Sequence, residues 1–63
     1  MKSKREKMID ELGWRYGYED EKVIEFARMC ETYPKDRKHN KLLKEFYRNA
    51  RNEFFEMCMA LDD

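Results

Sequence analysis

Residues 41–61, KLLKEFYRNARNEFFEMCMAL, carry the strongest periodic pattern in this chain of 63 residues. Their apolar side chains recur every three or four positions, which predicts an amphipathic α-helix. At about 100° per residue, the apolar stripe spans about 120° of the helix surface. The stripe consists of Leu43, Phe46, Tyr47, Ala50, Phe54, Met57, Cys58 and Leu61. The sequence therefore predicts a long last helix over residues 38–61, with either Asp36 or Asn40 as its N-cap.

A second amphipathic helix is predicted over residues 19–33. Three acidic side chains occupy its first turn, where the helix dipole favours negative charge. Pro34 disfavours helical backbone at the preceding residue and so ends this helix. The core face consists of Val23, Phe26, Ala27, Cys30 and Tyr33, at helical spacing. Ile24 and Met29 widen the apolar arc, which indicates contact with more than one neighbouring element.

A short first helix is predicted over residues 2–12. Ser3 is a suitable N-cap, and Glu6 stands at the capping-box position three residues later. Gly13 fits the left-handed conformation in which many helices end. The segment 14–18, WRYGY, would then be an aromatic loop.

These elements predict an all-α fold in which a short N-terminal helix packs on an antiparallel helical hairpin, and the last helix is the longest. A short polar connection between amphipathic helices favours the hairpin. Centring its turn near Asp36 pairs Cys30 with Leu43 and Val23 with Ala50. We expect the aromatic loop to cover the open end of the hairpin, beside Phe54, Met57 and Cys58. The whole chain, residues 1–63, would form one helical domain.

The composition limits the classes of protein to consider. Charged residues make up 44% of the chain, with 14 basic and 14 acidic side chains and a net charge of zero. The 14% aromatic content and the periodic apolar residues argue against disorder. No apolar run is long enough to cross a bilayer, and no apolar segment of a secretion signal follows the basic start. We therefore expect a cytoplasmic protein without a membrane partner, in which Cys30 and Cys58 are free, buried thiols.

No residue pattern supports catalysis or cofactor binding. The chain has no glycine-rich phosphate loop, and His39 with two distant cysteines cannot build a zinc site. The only serine, Ser3, lies near the N-terminus. A reactive pair of Cys30 with His39 is disfavoured because Cys30 lies on the core face, away from solvent. We expect no enzyme activity, no metal, no cofactor and no small-molecule substrate.

Two groups of side chains on the last helix remain available for binding. Lys41, Lys44, Arg48 and Arg51 share a face about 120° from the core stripe. This face could lie along a phosphate backbone, meet an acidic protein, or be simply solvated. Phe55 and Met59 continue the same face, and either the first helix covers them or a partner does.

The aromatic loop is the remaining candidate. Trp14, next to Arg15, could stack on nucleic-acid bases, although such clusters more often pack in a core. Together these surfaces favour a non-catalytic protein-interaction module of the adaptor, regulator or inhibitor type, self-associating as a homodimer. The alternative is a nucleic-acid-binding protein that uses the basic face of residues 35–51. The zero net charge and the acidic second helix argue against that alternative.

Overall fold

The computed structural model describes residues 2–61, which form three α-helices. They are α1 (Lys4–Tyr16), α2 (Glu21–Thr32) and α3 (Arg37–Leu61). Short connections over residues 17–20 and 33–36 join them, so consecutive helices run antiparallel and each helix contacts both others. The predicted fold class is therefore confirmed: a short first helix packs on a helical hairpin whose last helix is the longest. In this up-down-up arrangement α1 and α3 run parallel.

α1 begins as expected but ends later than predicted. The Ser3 side chain accepts a hydrogen bond from the Glu6 backbone N–H. Gly17, with φ of 93°, ends the helix, and its N–H donates to the Gly13 carbonyl. The prediction that α1 ends at Gly13 was wrong. Gly13 is buried within the helix, and a Cβ placed on it would lie 2.5 Å from the Tyr18 ring, so this glycine makes room for that ring.

Acidic N-caps begin the other two helices. Asp20 accepts a hydrogen bond from the Lys22 N–H at 2.9 Å and starts α2. Asp36 accepts one from the His39 N–H at 2.7 Å and starts α3. Of the two predicted N-caps of α3, Asp36 is thus the one that acts, and Asn40 lies inside the helix. The Asp36 carboxylate also contacts His39 Nδ1 at 2.7 Å.

All three helices contribute to the core. Leu12, Val23, Phe26, Leu43 and Ala50 are buried. The Phe26 ring stacks on Phe46, with a centroid distance of 5.6 Å, and lies 6.4 Å from the Tyr47 ring. These contacts match the predicted pairing of α2 with α3, in which Val23 lies opposite Ala50. Burial of these apolar side chains supplies the main stabilisation of such a small domain.

The Arg5 guanidinium joins α1 to the turn between α2 and α3. Its Nη1 donates to the carbonyls of Cys30 and Tyr33 at 2.9 and 2.8 Å. Its Nη2 donates to the Pro34 carbonyl at 2.9 Å and to Asn40 Oδ1 at 2.8 Å. The last carbonyls of a helix have no partner within the helix and carry partial negative charge, so a cation is well placed there. This contact was not predicted from the sequence.

The helices differ greatly in length, and this sets the shape of the molecule. α3 has 25 residues, against 13 in α1 and 12 in α2. At 1.5 Å per residue α3 is about 37 Å long, roughly twice the length of its neighbours. The molecule accordingly measures 42 × 21 × 21 Å, and the C-terminal end of α3 extends past the other two helices. None of the three helices combines the length and apolar character that a membrane span requires.

Candidate interaction surfaces

The C-terminal end of α3 is an uncovered helical segment, residues Phe55–Leu61, called here the α3 extension. All seven of its residues are exposed. The exposed fractions of the large apolar side chains are 66% for Phe55, 54% for Met57, 60% for Met59 and 84% for Leu61. Phe54, just before it, is half-buried. The core stripe of α3 therefore continues beyond the part that α1 and α2 cover.

The apolar side chains of the extension form a broad arc with Cys58 at its middle. Counting 100° per residue from Cys58, Phe55 and Leu61 lie about 60° to either side, and Met57 and Met59 about 100°. Glu56 lies about 160° away, on the opposite side of the helix. The large apolar side chains of the extension thus share one broad face, and the opposite face carries only Glu56 and Ala60, which is the pattern of a helix that packs against another surface.

Tyr16 marks the point where coverage of α3 stops. Its ring contacts the Phe54 ring edge-on at 5.2 Å, and its hydroxyl donates to the Ala50 carbonyl at 2.5 Å. Burial raises the pKa of Tyr16, with a smaller contribution from the charge of Asp20. The expected aromatic loop is instead helical as far as Tyr16, and it leaves Met57 and Cys58 exposed. The prediction that this segment covers the open end of the hairpin holds for Phe54 only.

Among residues 2–61, Trp14 is the most exposed large hydrophobic residue, at 87%. Core packing, the more common role for such a residue, is therefore excluded for Trp14. Together with Met8, Tyr47 and Phe54 it lines an open groove of about 830 Å³ between α1 and α3. The groove leads from the middle of the bundle towards the α3 extension.

All seven predicted binding residues lie on the surface, but they do not form one site. They are Trp14, Lys41, Lys44, Arg48, Arg51, Phe55 and Met59, each of them exposed. Arg48, Arg51 and Phe55 line a shallow groove with Cys58 beside the extension. Lys41 and Lys44 lie nearer the opposite end of α3. The possibility that α1 covers Phe55 and Met59 is wrong, because Met8 and Ile9 pack against the buried core instead.

At the opposite end of the molecule five lysines come together, a cluster called here the basic end. Lys4 and Lys7 of α1 line a concavity of about 540 Å³ together with Lys35 and Lys44. Lys41 joins Lys35 and Lys44 in the adjoining depression. The sequence pattern showed the α3 lysines only. The contribution of α1 depends on its parallel alignment with α3, for which the sequence carried no signal.

The two cysteines differ in environment. Cys30 is half-buried, and burial raises the pKa of its thiol, with Arg5 opposing this effect. Cys58 is exposed, so the prediction that both thiols are buried was wrong for Cys58. The Asp36 carboxylate holds His39 Nδ1, and the His39 ring packs edge-on against Tyr33 at 5.1 Å. His39 is thus engaged with Asp36 and Tyr33.

Within residues 2–61, no three His, Cys, Asp or Glu side chains come close enough together to hold a metal ion. Comparisons of the chain with protein-family models, with curated proteins and with solved structures found no match. A functional assignment therefore depends on the chemistry of the two surfaces, the α3 extension and the basic end.

Proposed function

We propose that this chain is a non-catalytic protein-interaction module, of the adaptor, regulator or inhibitor type, that self-associates through the α3 extension. The observation that supports this proposal is the run of seven exposed residues with four large apolar side chains. Small soluble monomers rarely expose a contiguous apolar patch of this kind, and such patches mark interaction sites. Trp14, at the edge of the neighbouring groove, enlarges the apolar surface.

A second copy of the chain is the partner that fits this surface best. In a two-fold symmetric pair the same patch serves both subunits, so a single contact covers both extensions. Antiparallel packing about Cys58 places the two Cys58 side chains beside each other. In the same register Phe55 of each copy lies opposite Leu61 of the other.

The charge distribution supports the antiparallel direction. Segment 34–51 contains seven basic and two acidic side chains, whereas segment 52–63 contains four acidic side chains and no basic one. Antiparallel packing about Cys58 directs the basic segment 34–51 of each copy towards the acidic segment 52–63 of the other. Glu53 and Glu56 lie on the far side of the helix, where Glu53 pairs with Lys22 of its own chain. Parallel packing would instead align like charges along the two helices.

The first experiment measures mass in solution by size-exclusion chromatography with light scattering. We expect the mass to rise from that of the 7.9 kDa chain towards twice that value over tens of micromolar. The variant Phe55→Glu with Leu61→Glu should remain monomeric, because each substitution places a charge in the proposed contact. The matched control is Ile24→Glu, an apolar-to-acidic change at an exposed site on α2, which should still dimerise. A monomer at all concentrations, or an unaffected double variant, would contradict the proposal.

Cross-linking tests the register. A short bismaleimide should join two chains through Cys58 in the wild type, whereas Cys58→Ser should give no linked dimer. A dimer that light scattering detects but that Cys58 does not link would show that the extensions meet in another register.

We further propose that the module acts in the cytoplasm. The two free thiols support this assignment, in particular the exposed Cys58. A reducing compartment keeps such thiols free, whereas an oxidising one would convert closely paired Cys58 thiols into an intermolecular disulfide. Non-reducing electrophoresis of the protein from thiol-blocked cells should therefore show the single chain. A disulfide-linked dimer would contradict the assignment.

A further inference from the structure

The basic end concentrates positive charge from two helices. Lys4 and Lys7 come from the first turns of α1, while Lys35, Lys41 and Lys44 come from the α2–α3 connection and the start of α3. Lys4, Lys7, Lys35, Lys41 and Lys44 are all exposed. The ion pairs found among residues 2–61 join Lys2 to Asp10, Arg15 to Glu11, Lys22 to Glu53 and His39 to Asp36. The five lysines of the basic end are therefore not neutralised by acidic partners in this part of the chain.

The backbone adds to this positive potential. Because α1 and α3 run parallel, both of their N-termini lie at the basic end, and each carries a partial positive charge. The first turn of α3 contains no acidic residue, although acids there would stabilise the helix, and the first turn of α1 contains one, Glu6. The Asp36 carboxylate at this end is occupied by the backbone N–H and the ring of His39. The lysines and the two helix N-termini at the basic end therefore repel one another, and a bound anion would relieve this repulsion.

We propose that the basic end binds the phosphate backbone of a nucleic acid. Lysine ammonium groups on flexible stems are common ligands of backbone phosphates, which fix position without reading sequence. The cluster contains no exposed aromatic residue, since Trp14 lies towards the other end of α1, so base stacking is not expected. Protein–protein interfaces are instead depleted in lysine and have an apolar centre, so an acidic protein fits this surface less well.

The acidic residues of the second helix, which argued against nucleic-acid binding in the sequence, do not lie at the basic end. α2 runs antiparallel to α1 and α3, so its acidic first turn lies at the opposite end of the molecule. At the basic end α2 presents its C-terminus, whose carbonyls are bound by Arg5. Although the net charge of the chain is zero, its basic and acidic side chains are therefore concentrated in different parts of the molecule.

The test is fluorescence anisotropy with labelled duplex DNA, single-stranded DNA and RNA over a range of NaCl concentrations. The five lysine ammonium groups alone would give a slope of log affinity against log salt concentration of about −4.5 for duplex DNA, and Arg37, which lines the same depression, would add to it. Lys7→Gln with Lys44→Gln should reduce the magnitude of this slope by about 2. The charge-matched control, Arg15→Gln with Lys22→Gln, removes two cations towards the other end of the molecule and should leave the slope nearly unchanged. Circular dichroism verifies that both variants fold.

Three outcomes would overturn the inference. One is the absence of salt-dependent binding to every nucleic acid at low salt. Another is an equal loss in the control variant, which would assign binding to diffuse charge. The third is tighter binding of polyglutamate than of nucleic acid, which would identify an acidic protein as the ligand. The dimerisation variant Phe55→Glu with Leu61→Glu keeps the basic end intact, so this proposal and the proposed self-association fail or succeed separately.

Discussion

Leu43 and Leu61 are the same residue type on the same side of the same helix, yet their environments are opposite. They are 18 residues apart, which is five full helical turns, so both side chains point in the same direction from α3. Leu43 is fully buried, whereas Leu61 is 84% exposed. The difference comes only from the lengths of α1 and α2, which end their contact with α3 near Phe54. Periodicity thus identifies the helix face that is suited to burial, while the lengths of the neighbouring helices determine how much of that face is buried.

The largest expected effect tests this comparison directly. Leu43→Ala should lower the free energy of unfolding by about 3 kcal/mol, because it opens a cavity in the core. Leu61→Ala should lower it by less than about 0.5 kcal/mol in dilute solution, where the monomer prevails, because the side chain is already in water. Urea denaturation followed by circular dichroism measures both. Equal losses in the two variants would mean that the extension is covered within the monomer.

A smaller loss of stability is expected at Arg5. This residue joins α1 to the α2–α3 turn, and no comparable contact within residues 2–61 holds the α3 extension. Arg5→Ala should lower the free energy of unfolding by about 2 kcal/mol, because four acceptors lose a charged donor at once. Arg5→Lys keeps the charge but lacks the planar fork, so it should recover only part of this loss. The matched control is Arg48→Ala, an exposed arginine on α3, with an expected change within about 0.5 kcal/mol. A full recovery in Arg5→Lys would show that charge alone is responsible.

The smallest effect on stability concerns the carboxylate of Asp36, which caps the N-terminus of α3. Hydrogen bonds from the backbone N–H and the ring of His39 lower the pKa of Asp36 below its ordinary value of 3.8. The unfolded chain therefore takes up this proton at a higher pH than the folded chain does. The stabilising contribution is complete above pH 3.8 and is lost as the pH falls through the lower pKa of the folded state.

Asp36→Asn isolates this contribution, because asparagine is also a good N-cap but carries no charge. The variant should have a lower thermal midpoint than the wild type at neutral pH, and the difference should shrink in strong acid. Glu56→Gln, the same chemical change in the α3 extension, should produce no comparable pH-dependent difference. A constant gap between Asp36→Asn and the wild type at every pH would contradict the assigned cause.

Much of the fold could be predicted from periodicity and helix-end signals. The stripe containing Leu43 and Ala50 was found because burial on one helix face leaves a regular spacing. Pro34 and Asp36 marked the turn for reasons that are local to the backbone. The exposure of Lys44 followed from its angle to that stripe, whereas the angle of Phe55 left open whether α1 or a partner covers it.

The missed features depend on contacts between distant residues. Gly13 carries the usual signal of a helix end, but Gly17 four residues later carries it too, and only the packing of Tyr18 distinguishes the two positions. Arg5 looks like any basic residue in a first helical turn until the α2–α3 turn is placed beside it. The α1 lysines of the basic end were missed for the same reason, since local pattern does not fix the direction of α1 relative to α3.

The two four-residue connections also bear on how the chain reaches this structure. Neighbouring helices meet with little loop to close, so α1–α2 and α2–α3 contacts link residues that are close in sequence. The longest separations occur between α1 and α3, as between Arg5 and Asn40, which are 35 positions apart. Helical domains with mostly local contacts fold within microseconds to milliseconds, and we expect this chain to do the same. The docking of α1 along α3 is then the folding step that brings together the residues furthest apart in the sequence.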